Sequence, residues 1–252
     1  RSRGLGDVYK RQDWPAPLNV KTAISTREGG VSLPPYAGLN LGSHVHDRPE
    51  AVAQNRQLFR QEAKMPAEPL WLNQVHGTDC LLLEHTDFSA GPVTADASTT
   101  KTKGLVSVVL TADCLPVLFC DLDGTQVAAA HAGWRGLVDG VLEQTLVQFP
   151  DPRRVMAWLG PAIGPSAFEV GDEVRQVFVE KDAKADAAFA AVPDKTGKWL
   201  ADLYQLARFR LNASGVTQLY GGGFCTYSDP QRFYSYRRDG QTGRMASCIW
   251  MD

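Results

Sequence analysis

The stretch Val108–Leu137, VVLTADCLPVLFCDLDGTQVAAAHAGWRGL, decides how this chain is read. It begins apolar and breaks at a short polar step. Two more apolar runs follow, Leu115–Cys120 and Gln126–Ala130, with Asp121-Leu122-Asp123-Gly124 between them. Asp-Gly between two such runs signals a β-hairpin. Cys114 enters the hairpin and His131 leaves it. With a four-residue loop, 121–124, Cys114 lies directly opposite His131. With only Asp123-Gly124 as the loop, the two are diagonal neighbours. Side chains alternate with period two, so either register puts thiol and imidazole on one face. Opposed Cβ atoms lie about 5 Å apart and diagonal ones about 7–8 Å. At that spacing a thiol and an imidazole can share a metal ion or a hydrogen bond.

The 252 residues are 44% apolar and 21% charged, with a net charge of −2. That composition belongs to a globular chain with a sizeable core. It gives no basic surface for nucleic acid or an anionic membrane. No apolar run reaches the roughly 18 residues of a membrane helix, and no signal peptide is evident. Five cysteines, an odd number, read as reduced thiols in a cytoplasm. A monomer or weak homo-oligomer is expected. Residues 1–12, RSRGLGDVYKRQ, show no strand or helix period and resemble translated sequencing-adaptor sequence. They are expected to be a non-native tail outside a single domain spanning 13–252.

Working outward, Val20–Ile24 reads as a strand running into Thr26-Arg27-Glu28-Gly29-Gly30, where the backbone either bends sharply or forms a plain loop. Asp47 is a candidate cap for a helix from Pro49 to about Ala63, leaving Asn40, His44 and His46 at its entry. Leu70–Gln74 and Cys80–Glu84 are apolar runs, with His76 in the turn between them. Leu105–Leu110 and Arg153–Leu159 read as strands. Leu137, Val138, Val141, Leu142, Thr145, Leu146 and Phe149 recur at helical spacing, and Pro150 ends that helix. Its N-terminus would place Arg135 and backbone N–H groups beside His131, a corner that favours an anion. Glu169–Glu180 and Trp199–Ala213 read as amphipathic helices. Val216–Tyr220, Phe233–Tyr236 and Met245–Trp250 read as strands, with a basic tip at 237–244. Strands and helices mix without strict alternation, so the expected fold is a single mixed α/β (α+β) domain whose sheet includes antiparallel hairpins.

Two imidazoles and a thiolate suit zinc, and three protein ligands leave a fourth position open for catalysis. Copper accepts the same donors. A metal-free Cys–His nucleophile pair is another reading, as is a buried thiol beside a strand-end imidazole without chemistry. Spacing alone leaves these open.

Several motifs together resemble one family. They are Asn73-Gln74-Val75-His76-Gly77, Thr111-Ala112-Asp113-Cys114-Leu115, His131-Ala132-Gly133-Trp134-Arg135-Gly136, Gly160-Pro161-Ala162-Ile163-Gly164-Pro165 and Ser235-Tyr236-Arg237-Arg238-Asp239-Gly240. Thr26–Ser32 and Leu39–Val45 join them. The match is to the YfiH-type laccase-domain proteins, named multicopper polyphenol oxidases and later recognised as purine nucleoside phosphorylases. The resemblance implies that His76, Cys114 and His131 hold a metal, with zinc as cofactor and copper as the alternative. It implies an α/β fold related to the catalytic domain of cytotoxic necrotizing factors. Ser166-Ala167 and His46 depart from the family pattern, away from these ligands.

The implied activity is phosphorolysis of adenosine, inosine, guanosine or methylthioadenosine, with adenosine deamination as a companion. The implied partners are a purine nucleoside and phosphate. Arg27, Arg135 and the 237–244 tip would supply positive charge, while Asn40, His44 and Gln74 would bind base or ribose. The alternatives are a copper polyphenol oxidase, a Cys–His hydrolase acting on peptidoglycan precursors, and a metal-binding module. A full multicopper centre needs more imidazoles than the five His of this chain.

Overall fold

The structure, a computed structural model, describes residues 9–10 and 14–252. The hairpin forms as strands Leu115–Asp121 and Val127–Ala132, with Pro116 opposite His131 and Cys120 opposite Val127. This is the register of the Asp123-Gly124 loop, so Cys114 and His131 are diagonal neighbours. The Asp121 carboxylate fixes the turn by accepting from the N–H groups of Thr125 and Gln126, at 2.7 and 3.0 Å.

The hairpin is the centre of a six-stranded sheet. The order is Gln218–Gly221, Val155–Leu159, Leu115–Asp121, Val127–Ala132, Ala97–Thr100, Cys80–Leu82. The inner pairings are antiparallel and the two outer ones parallel. Leu115, Val117 and Phe119 turn to one side, against helices Trp134–Asp139, Val141–Leu146, Asp172–Lys181 and Leu203–Ala213. Leu118 and Cys120 turn to the other side, against Val20, Val109 and Ile249 of a second sheet. Both faces of the hairpin are covered, which is why its strands read as continuous apolar runs.

The second sheet is antiparallel, in the order Tyr9–Lys10, Val20–Ser25, Met245–Met251, Ser107–Thr111. Its far face, with Val108, Ala246 and Trp250, packs on Phe59 of helix Pro49–Glu62. The result is a mixed α/β single-domain fold in four layers: helix, sheet, sheet, helices. Among the described residues no helix is long and apolar enough to cross a membrane.

Tyr9–Lys10, within the expected tail at 1–12, pairs with Ser25 and Ile24 as a short edge strand, and the tail's other residues lie outside the described ones. Several local expectations are corrected. The helix expected from Glu169 begins at Asp172, because Glu169–Gly171 pairs with Lys198–Leu200. The helix expected from Trp199 begins at Leu203. Lys198–Ala201 is the middle strand of a three-stranded sheet, and the Asp202 carboxylate caps the helix through the Gln205 N–H at 3.0 Å. The helix after His131 breaks at Gly140, whose φ of 107° lies outside helical backbone. Asp47 does not cap helix Pro49–Glu62; Arg48 stands at that position. Asp47 instead accepts from Ser32 Oγ at 2.6 Å and Asn40 Nδ2 at 2.9 Å. Phe233–Tyr236 is not a strand. The Phe233 N–H bonds the Asp229 carbonyl, the Tyr234 N–H bonds Met245 Sδ rather than a strand carbonyl, and Ser235 caps a short helix, Tyr236–Asp239.

Asn55 ties helix Pro49–Glu62 to the loop ahead of it. Its carboxamide is fully buried, donates to Ser32 Oγ, Gly38 O and Asn40 O, and accepts from Val31 N–H at 2.8 Å. Replacing it with Leu strands these buried groups. Asn55→Leu is expected to lower unfolding free energy by about 2–4 kcal/mol, measured by urea denaturation; a loss under about 0.5 kcal/mol would show that the loop is held by other contacts.

Candidate metal centre

Cys114 stands where the polar step meets strand Leu115–Asp121. The residue before it, Asp113, has a left-handed φ of 92°. Three donors hold that strained residue: Thr226 Oγ1 at 2.6 Å, Ser235 Oγ at 3.0 Å and the Arg237 N–H at 2.7 Å. His131 lies near the end of strand Val127–Ala132. His76 sits in the loop before strand Cys80–Leu82, also left-handed at φ 62°.

The fold brings the three together. The ligand atoms of His76, Cys114 and His131 all lie within 4.8 Å of one another. Cys114 Sγ is 3.8 Å from His76 Nε2. Gly133 packs into this corner. A Cβ there would lie 2.8 Å from His76 Cδ2 and 3.0 Å from Cys114 Sγ, so only glycine leaves the donors their positions.

Asp96 organises the cluster, and sequence reading missed that role. Its side chain is fully buried. It accepts the N–H groups of Val75, His76 and Gly77, at 3.1, 2.9 and 2.7 Å. It also bonds His131 Nδ1 at 2.8 Å. One carboxylate therefore shapes the His76 loop and orients the His131 ring. Burial opposes its charge, but the His131 bond and the backbone N–H groups outweigh burial and hold its carboxyl below the usual range.

The donor set fits a metal ion. Asp96 occupies His131 Nδ1, leaving Nε2 as the ring's other nitrogen, the carboxylate–histidine arrangement of many metal sites. Tetrahedral zinc would separate a thiolate sulfur and an imidazole nitrogen by about 3.5 Å. The 3.8 Å between Cys114 and His76 is close to that. Without a cation the protons rearrange. Burial raises the Cys114 thiol, but the opposing charge of His131 and hydrogen bonds from His131 and His76 bring it down to about 6. Burial lowers His131, but the Cys114 charge and the Asp96 bond raise it to about 9.

The cluster lies in a cleft of about 490 Å³. Of the residues expected to bind substrate, His44, Gln74 and Arg135 line it; Arg27 and Asn40 do not. Arg27 stacks on Tyr234 and donates to the carbonyls of Pro230 and Ala37. Asn40 is buried and spends its amide on Gly42, Asp47 and the Arg244 N–H. Gln74 lines the cleft, but both ends of its amide bond the Leu110 backbone, at 2.8 and 2.7 Å. Arg237, Arg244, Phe168 and Tyr236 complete the walls. Arg237 lay within the basic tip read from sequence. Phe168 carried no signal, because an isolated Phe reads as core.

A four-layer α/β domain carrying a His–Cys–His cluster defines a class of protein. The model of the multi-copper polyphenol oxidoreductase laccase family matches residues 21–252, and the chain belongs to that family. The purine nucleoside phosphorylase YfiH of Escherichia coli is 56% identical over 239 residues, 94% of this chain and 96% of that protein. A purine nucleoside phosphorylase of Pseudomonas aeruginosa is 52% identical over 250 residues, 97% of this chain and 99% of that one. The crystal structure of a Neisseria meningitidis protein superposes with a TM-score of 0.92 at 50% identity, covering 97% of this chain and 99% of that one.

Two outcomes follow. Asp96→Asn keeps the shape but loses the charge, and is expected to weaken metal binding about 10- to 100-fold, read by competition with a chelating dye. Unchanged affinity would remove Asp96 from the site. In chelator-stripped protein, the lowered Cys114 contributes stability above the usual thiol range, lost as pH falls through about 6. The raised His131 contributes stability below the usual imidazole range, lost as pH rises through about 9. The two contributions run in opposite directions between about 6 and 9, so the melting temperature of the stripped protein should change little across that range. Cys114→Ser removes the thiol's part and should leave a melting temperature that falls as pH rises through it; an unchanged profile would uncouple the pair.

Proposed function

We propose that this protein is a zinc-dependent purine nucleoside phosphorylase. The observation that carries the reading is an open three-donor cluster on a nucleoside-sized cleft that also holds three arginines. The names of the relatives support the same class. A hydrogen phosphate oxygen bonds C1′ of the ribose as the C1′–N9 bond breaks. The electron pair leaves with the purine, which takes up the proton that the hydrogen phosphate gives up. Arginines at the cleft neutralise the attacking anion. Phe168 and Ile163 offer apolar walls to the flat base. His76, Cys114 and His131 would hold the zinc, which supplies Lewis-acid polarisation when bound. Adenosine deamination, in which water replaces the amino group at purine C6, fits the same cleft. All five cysteines are free thiols, in keeping with a reducing cytoplasm.

Two other readings rest on particular observations. The lowered thiol of Cys114 beside His131 suits a Cys–His hydrolase. Two imidazoles and a thiolate also suit one copper ion and polyphenol oxidation. Incubation with inosine separates them. Hypoxanthine release is expected only when phosphate is present, and His76→Ala should lose bound zinc and lower kcat/KM by at least about 100-fold. Base release without phosphate, or full activity in zinc-free protein, would sink the phosphorylase reading.

A further inference from the structure

Three guanidinium groups line the cleft, and their surroundings differ. Arg135 is exposed and stacks on the Trp134 ring at 4.4 Å. Arg237 is exposed, donates Nη1 to the Glu169 carbonyl at 2.8 Å and lies over Phe168. Arg244 is only partly exposed and is fixed along its length. Its N–H bonds Asn40 Oδ1 at 2.9 Å, and its carbonyl accepts from the Leu41 N–H at 3.1 Å. Its stem presses on Gly42, where a Cβ would come within 2.7 Å of Arg244 Cγ. Nη1 is spent on the Thr242 and Gly243 carbonyls, at 2.9 and 3.0 Å.

What remains is a preset pair of donors. Among the described residues, Arg244 Nε and Nη2 have no acceptor, and no carboxylate forms an ion pair with Arg244. Burial disfavours its charge; the Cys114 thiolate and then the Asp113 carboxylate favour it without forming an ion pair with it, and Asp113 gives its hydrogen bonds to Thr226, Ser235 and the Arg237 N–H. A partly buried guanidinium without an ion-pair partner is electrostatically unfavourable, and an anion in the cleft relieves it. Its fork matches two phosphate oxygens. His44 shares the cleft, and burial and then the Arg244 charge favour its neutral form, which can both donate to and accept from a hydrogen phosphate.

We propose that Arg244 is the phosphate-seating residue, holding the anion by Nε and Nη2 beside the His76–Cys114–His131 cluster, with Arg135 and Arg237 serving the outer cleft. The proposal rests on the phosphorylase reading for its substrate, but not for the anion site itself.

The test uses Arg244→Gln and Arg244→Lys in the zinc-loaded full-length protein. Arg244→Gln should raise the KM for phosphate about 10- to 100-fold and leave the KM for inosine within about threefold. Arg244→Lys, which keeps the charge and loses the fork, should fall between. Separately, inorganic phosphate should raise the melting temperature of the wild type and not that of Arg244→Gln. Phosphorolysis with an unchanged phosphate KM in Arg244→Gln overturns the seat and leaves the function standing. A phosphate-dependent melting shift lost in Arg244→Gln, in a protein that does not cleave nucleosides, overturns the function and supports the seat as an anion site. A phosphate response that survives Arg244→Gln but is lost in Arg237→Gln overturns the seat as well.

Discussion

The site depends on one buried carboxylate. Asp96 is removed from water, yet it carries its charge because four N–H donors converge on it. Three come from successive backbone positions of the His76 loop, and the fourth is the His131 ring. An ion buried this way is stabilised only while every donor stays in place. The same constraint holds the two imidazoles at the right separation. The backbone joins in: His131 N–H donates to the Asp96 carbonyl at 2.7 Å, and the N–H groups of Asp96 and Ala97 both donate to the Asp79 carbonyl. The His76 loop is thereby fastened to the sheet edge at both ends.

The architecture makes such a site available by stacking two sheets with their ends in register. Cys114 and His131 leave the central hairpin at the same end, and the second sheet delivers Arg244 just ahead of strand Met245–Met251. Polar loops close over that end. Asn55 and Asn40 hold those loops from within, spending buried amides on backbone groups that have no strand to pair with. Asn40 and Gln74 are accordingly scaffolding: Gln74 gives both ends of its amide to the main chain, and Asn40 bonds the main chain and the Asp47 carboxylate.

Sequence pattern read the hairpin well because both of its faces are buried, and continuous apolar runs flanking Asp-Gly admit few other structures. It read the edges of elements poorly where two signals overlapped. Glu169–Gly171 and Lys198–Ala201 adjoin genuine helices, and their three-residue pairings are decided by each other, some thirty residues apart. Phe233 and Tyr234 look like strand residues because they are large and buried, yet their N–H groups go to the Asp229 carbonyl and to Met245 Sδ, not to a neighbouring strand's carbonyls. The family resemblance named His76, Cys114 and His131 together, whereas spacing alone offered only Cys114 and His131.

By itself, the sequence determined that Cys114 and His131 share a face, because alternation along paired strands is local geometry. It also determined the apolar layers and the glycine-rich corner after His131. Tertiary structure decided the rest. It chose the diagonal register through the Asp121 turn, brought His76 across by way of Asp96, and left Arg244 with a charge and no ion-pair partner. Apart from the Asp121 turn, those are contacts between residues far apart in the chain. Their energies depend on burial and on the company of other charges, and neither quantity exists until the layers have closed.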